Sequence, residues 1–245
     1  MPFTLFHPAL VLPARYLPAK WKRYFSVTGL ITGSIAPDFE KFIQMRGGNT
    51  YSHTLAGAFG FDLPMSVLLA FLFHVVVKDT FIDYLPTAAL VARFSVYKYQ
   101  HWQPKRHYMA VLVSMLIGIF SHLVLDSATH ANGQLANQLP TLSNYYEVLF
   151  LTIRGYQLLE ISYYVLAALA ICGAFVLLPQ HYPKFPPRKK KVAFWLGVVG
   201  STALISSLRL LINPQVRHIW DLASLATAAG LMSLLFSCLV WRRKT

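Results

Sequence analysis

Long apolar runs separated by short polar connections set the pattern of this chain. Five are long enough to be membrane helices: Ala58–Val77, Tyr108–Ser127, Ile161–Leu178, Val192–Ile212 and Ile219–Trp241. Crossing the hydrocarbon core as helix takes about 20 apolar residues, which each run approaches or exceeds. A sixth run, Phe25–Ala36, is too short to cross and carries Ser26, Thr28, Thr32 and Ser34. It reads as a half-span or as a helix buried among the others. Phe81–Tyr97 holds Asp83, Pro86 and Arg93, the pattern of an amphipathic helix in the interface. No internal repeat is evident. The expected fold is all-α: a polytopic transmembrane helical bundle with five long spans and one short N-terminal membrane helix, forming a single integral membrane domain over residues 1–245.

Composition supports this. The chain is 56% hydrophobic and only 13% charged, with mean hydropathy +0.47; soluble domains carry about 25% charged residues. Lys and Arg number 22 against 9 Asp and Glu. In a soluble protein that excess would suggest nucleic acid, but a basic cytoplasmic face accounts for it in a multi-pass membrane protein, so no nucleic-acid partner is expected. Cys172 and Cys238 fall inside apolar runs without CxxC spacing and read as packing residues. The first residues lack a basic start followed by a cleavage site, so no signal peptide is expected.

The basic residues also orient the chain. One set of connections holds Lys78, Arg93, Lys98, Lys105, Arg106, Lys184, Arg188, Lys189, Lys190 and Lys191, joined by Arg242, Arg243 and Lys244 at the end; the alternate connections hold Lys41, Arg46, Arg154 and Arg217. Thirteen against four puts the C-terminus in the cytoplasm of a bacterial inner membrane and the Ala131–Leu151 loop outside. On that count Asp62, Asp126, Glu160 and Asp221 stand at outer ends of spans, and Asp38, Glu40 and His53 lie in an outer loop. A polar site near the outer face follows.

Its centre is Ser121-His122-Leu123-Val124-Leu125-Asp126-Ser127-Ala128-Thr129-His130, which closes a greasy helical run. Residues four apart share a helix face, so His122 and Asp126 can address one point. Ionisable groups at this depth are costly and become functional candidates by default. Nitrogen and oxygen donors on one face suit a divalent metal, zinc above all. Ala36-Pro37-Asp38-Phe39-Glu40 adds two carboxylates, and Tyr51-Ser52-His53-Thr54 sets a histidine between hydroxyls that can orient its second nitrogen. His74 lies about twenty residues beyond His53, roughly 30 Å along a helix, and reads as structural.

Taken in order, Phe6-His7-Pro8, Gly33-Ser34-Ile35-Ala36-Pro37-Asp38, Tyr51-Ser52-His53-Thr54, Phe61-Asp62-Leu63-Pro64, Leu72-Phe73-His74 and Ser121-His122-Leu123-Val124-Leu125-Asp126 resemble the bacterial membrane family called domain of unknown function 4184. A looser resemblance extends to membrane-bound metal-dependent hydrolases, which are themselves similar in motif order to zinc-dependent phospholipase C and single-strand nucleases. That resemblance implies His7, Asp38, His53, His122 and Asp126 as metal ligands. Glu40 stands where those enzymes have a second aspartate and Lys41 where they have a histidine, which favours one ion over two. His7 poses a conflict, because Arg15, Lys20, Lys22 and Arg23 should hold the N-terminus in the cytoplasm; either a re-entrant segment broken at Pro2, Pro8, Pro13 and Pro18 resolves it, or His7 is structural.

The reading drawn from all this is a metal-dependent hydrolase of a lipid or lipid-linked phosphoester. Zinc is the expected cofactor, Asp38 and Glu40 are candidate acid–base groups, and Arg209 could neutralise a phosphate or pair with a nearby acid. Membrane lipids are the expected partners. Two readings from other classes stay open: an ion- or proton-coupled transporter, and a scaffold whose polar residues hold helices together.

Overall fold

The computed structural model describes residues 4–22, 24–98, 102–103, 107–181, 186–214 and 218–242. Of the basic residues counted above, Arg23, Lys105, Arg106, Lys184, Arg217, Arg243 and Lys244 lie outside them, as does His101. Five helices are long and apolar enough to cross a membrane: Leu55–Tyr84, Tyr108–Gln138, Gly155–Val176, Arg188–Ile212 and Ile219–Val240. Only 6% of the most apolar stretch of Gly155–Val176, and of Arg188–Ile212, is buried within the protein. Surfaces that greasy call for lipid as their surroundings, and the chain is a membrane protein.

The chain divides into two compact units. The first comprises Met1–Asp38, Tyr51–Val67 and Pro104–Val176; the second comprises Phe39–Thr50, Leu68–Gln103 and Leu177–Thr245.

In the first unit the short helix Val27–Ile35 lies along Tyr108–Thr129 with its backbone nearly touching. A Cβ built on Gly33 would stand 2.1 Å from the Met115 carbonyl oxygen, and one on Gly118 would stand 2.4 Å from that of Leu30. Small residues at such contacts are what let membrane helices approach closely. Ser26 caps the short helix by accepting from the Gly29 amide at 3.1 Å, and its own N–H donates to Ser114 Oγ at 2.8 Å. Leu30, Thr32, Gly33 and Ser34 are buried, so Phe25–Ala36 is the helix packed among others that the sequence allowed. The N-terminal segment breaks into the turns Thr4–Phe6, Pro8–Val11 and Leu12–Tyr16 and folds back onto these helices. The Tyr163 hydroxyl of Gly155–Val176 donates to the Phe6 carbonyl at 2.7 Å and holds it there.

The helix Leu55–Tyr84 is capped by Thr54, whose hydroxyl accepts from the Gly57 amide at 2.9 Å. It widens to a π turn over Ala58–Asp62, where the Leu63 amide reaches back to the Ala58 carbonyl. Pro64 is the cause: its missing N–H and its ring disfavour the regular bond to Gly60.

The second unit is built around aromatic packing. Tyr84, Phe194, Val198 and Cys238 form a buried cluster, with Tyr84 stacked on Phe194 at 4.7 Å. Pro86 ends the helix that reaches Tyr84, and the orphaned carbonyls find side-chain donors. Trp195 Nε1 donates to the Tyr84 oxygen at 2.7 Å and Lys191 Nζ to that of Leu85 at 3.0 Å. Thr87 then caps a new helix, Ala88–Phe94, continued by the 3-10 turn Ser95–Tyr97. The single amphipathic helix expected over Phe81–Tyr97 is therefore two pieces joined at a proline. The connection after His130, expected as a loop, contains the helices Gln134–Gln138 and Pro140–Ser143 and an antiparallel hairpin, Tyr145–Val148 against Leu151–Arg154.

Candidate metal centre

Five ionisable side chains from four segments of the first unit converge. His122 and Asp126 come from one face of Tyr108–Thr129, one turn apart. Asp38 ends the 3-10 turn Ala36–Asp38 that follows the short helix. His53 precedes the cap of Leu55–Tyr84, and His7 comes from the folded-back N-terminus. His122 Nε2 lies 3.4 Å from Asp126 Oδ2, 3.3 Å from His53 Nε2 and 3.9 Å from Asp38 Oδ1. His53 Nε2 is 3.0 Å from Asp126 Oδ2, and His7 Nε2 is 3.5 Å from Asp126 Oδ1. The His7 and His122 rings stack at 3.7 Å. His7, Asp38 and His122 are buried; His53, at 25% side-chain exposure, and Asp126, at 13%, form the accessible side.

The supporting contacts fix how these groups face. His122 Nδ1 lies 2.8 Å from the Ser34 carbonyl oxygen. A carbonyl only accepts, so Nδ1 carries a proton, and Nε2 faces two carboxylates, either as a second N–H or as a lone pair. Lone pair against carboxylate is repulsive unless a cation or a proton lies between them. His53 Nδ1 is 3.0 Å from the buried Ser52 hydroxyl, and Thr4 Oγ1 donates to Asp38 Oδ2. Such partners orient metal-binding side chains from behind. Ser52 was legible as a hydroxyl beside a histidine, whereas Thr4 and the Ser34 carbonyl left no sequence signal.

The donors fit a metal ion. Two sets, His7 with His122 and Asp126, and Asp38 with His53 and His122, each bring three ligand atoms within 4.8 Å of one another. Ligands about 2.0–2.1 Å from a tetrahedral zinc stand ~3.3 Å apart, close to the separations around His122 Nε2. Asp126 Oδ1 is buried and accepts no hydrogen bond among the described residues, an arrangement that a bound cation would satisfy. Both sets require His122, and a neutral imidazole offers one lone pair on Nε2, so the geometry suits one ion.

A family model matches residues 1–242. The chain belongs to the family described as domain of unknown function (DUF4184). No curated protein and no solved structure matches it. The family assignment drawn from the ordered motifs holds, and since its description gives no activity, function must be argued from the site.

The remaining sequence candidates make the following contacts. Glu40 Oε1 accepts from the Thr50 amide at 3.1 Å, the Thr50 hydroxyl at 2.6 Å and Gln44 Nε2 at 3.1 Å, which ties down the loop after Phe39–Gln44. Arg209, in the second unit, donates from Nη1 to the Asn213 carbonyl at 3.0 Å and lines a small cleft with Arg46 and Asp221. Asp221 caps Ile219–Val240 and accepts from the Gly47 amide at 2.8 Å. Glu160 accepts from the Tyr164 hydroxyl at 2.8 Å. Of the acids placed by charge counting at outer span ends, Asp126 is drawn into the histidine cluster. His74 stacks on Trp102 at 4.7 Å, in keeping with a structural role.

Proposed function

We propose that the cluster binds one divalent metal ion, zinc, and that the protein is a membrane-embedded metal-dependent hydrolase of a lipid or lipid-linked phosphoester, working near the outer face. The observation that carries this reading is His122: its Nδ1 proton is committed to Ser34, and its Nε2 faces His53, Asp126 and Asp38 at ligand-to-ligand spacing. His122, His53 and Asp126 would hold the ion, with His7 completing the set. What a bound zinc ion supplies is Lewis acidity toward a phosphoryl oxygen and a water of lowered pKa. The protein's part is positional. Ser34 and Ser52 orient the two histidines, and Thr4 fixes one oxygen of Asp38 so that the other faces the cluster as a further ligand or as the base that takes a proton from water. The buried His7 and Asp38 close the inner side, leaving substrate to enter past His53. The outer location rests on the thirteen-to-four count of basic residues.

The test is hydrolysis of phosphodiester- and phosphomonoester-linked lipids by protein in nanodiscs. Activity that disappears with chelator, returns with zinc and is absent from Asp38→Asn supports the reading. Protein that carries its metal yet hydrolyses neither class contradicts it and favours the transporter.

A further inference from the structure

We propose that the hairpin Tyr145–Arg154 is a membrane-dipping element whose apolar tip is inserted in the lipid leaflet, anchoring the end of the first unit that carries the histidine cluster. Its register pairs Tyr145 with Arg154, Tyr146 with Ile153, Glu147 with Thr152 and Val148 with Leu151. Side chains alternate across a strand, so Tyr146, Val148, Leu151 and Ile153 share one face, while Tyr145, Glu147, Thr152 and Arg154 share the other. One face is wholly apolar or aromatic; the other is polar. The Arg154 guanidinium stays on the polar face, donating to the Tyr145 hydroxyl at 2.9 Å and lying 5.0 Å over that ring.

The tip sharpens the case. Two-residue turns favour Asn-Gly because they demand positive φ. Here the turn residues are Leu149 and Phe150, and Leu149 adopts φ 57°, rare for a bulky side chain. Leu149 is 90% exposed, Phe150 102% and Leu151 68%. A strained, fully exposed apolar tip calls for something that covers it. Lipid is that cover, because the hairpin is continuous with the membrane surface. Arg154 is followed at once by the span Gly155–Val176, whose exposed Ile161, Val165 and Leu169 face lipid. Tyrosines above an apolar band, with a cation nearby to meet phosphates, are the residue types of the membrane interface.

The same connection leaves Tyr108–Thr129 just after His130, so the anchor would hold the mouth of the cluster at the depth where a lipid-linked phosphate travels. That last step rests on the hydrolase reading; insertion of the tip does not. Spin labels placed by Phe150→Cys, Leu151→Cys and Glu147→Cys, in protein with Cys172 and Cys238 replaced and reconstituted in nanodiscs, test the proposal. Collisions with oxygen should exceed those with a water-soluble nickel chelate several-fold at positions 150 and 151, and the order should reverse at 147. Equal nickel access at 150 and 147 overturns it. So does dipolar broadening between labels at 150, which would mean that a second copy covers the tip. Metal content of the same samples separates the two ideas: lipid-like labels in metal-free protein leave the anchor standing and sink the hydrolase.

Discussion

The two units bury polar groups in different ways. In the second, charged side chains near the core meet ordinary partners. Lys98 bonds Asp83 at 2.6 Å, Lys191 and Trp195 cover the carbonyls that Pro86 strands, and Asp221 caps a helix. Around these contacts lies an aromatic cluster of ordinary kind. In the first unit, three histidines and two aspartates meet at one point. Glycines bring backbones into contact there and a proline-broken segment folds back, and together these place a histidine Nε2 before two carboxylates. Helix packing alone does not call for that arrangement. Close packing in the first unit gathers histidines and carboxylates, whereas in the second it builds an aromatic core.

The comparison can be broken by substitution. Phe194→Ala, in the fully buried aromatic cluster, should cost about 3–5 kcal/mol, read from unfolding in detergent, while metal per folded molecule stays at the wild-type level. Loss of metal from the folded fraction would show that the units do not divide their labour. Gly33→Leu should cost about 3 kcal/mol, because its side chain meets the Met115 backbone and only separation of two helices makes room. Unlike Phe194→Ala, it should also strip metal, since Ser34 moves with Gly33. Gly200→Leu, with open space around it in the second unit, is the control and should not destabilise.

Smaller effects sharpen the picture. His7→Ala should lower metal affinity about 10–100-fold while leaving some metal bound, as expected for a donor that joins a site built by others. An unchanged affinity would make His7 a packing partner of His122. Trp195→Phe should cost only about 1 kcal/mol, the net worth of its hydrogen bond to Tyr84, without touching metal. Cysteines at positions 137 and 189 test orientation: reagent added from outside should label 137 and spare 189. The opposite pattern would put the cluster at the inner face.

What the sequence revealed depended on how local each signal was. The long spans follow from hydropathy, and the His122–Asp126 face follows from helical spacing within five residues. The closeness of Val27–Ile35 to Tyr108–Thr129 was encoded as well, in Gly29 and Gly33 four apart. Hydropathy marks that run as a short helix but does not say which helix it touches. His7 could not be placed from spacing, because its position depends on Tyr163, 156 residues later in the chain, gripping the Phe6 carbonyl. The hairpin was missed for a third reason: Tyr145–Val148 and Leu151–Arg154 are four residues each, with a Leu-Phe turn in place of glycine or asparagine. Arg209 and Glu40 had the chemistry of catalytic groups, but the structure engages them with neighbouring backbone and hydroxyls.

The most direct test of the central claim is the metal content of protein purified in detergent without chelator, measured by elemental analysis for wild type, His122→Ala and His107→Ala. Close to one zinc is expected per wild-type chain, none in folded His122→Ala, and the wild-type value in His107→Ala, whose side chain makes no capping bond at the far end of the same helix. Wild-type protein with no stoichiometric metal would contradict it, leaving His122, His53 and Asp126 as a hydrogen-bonded structural network.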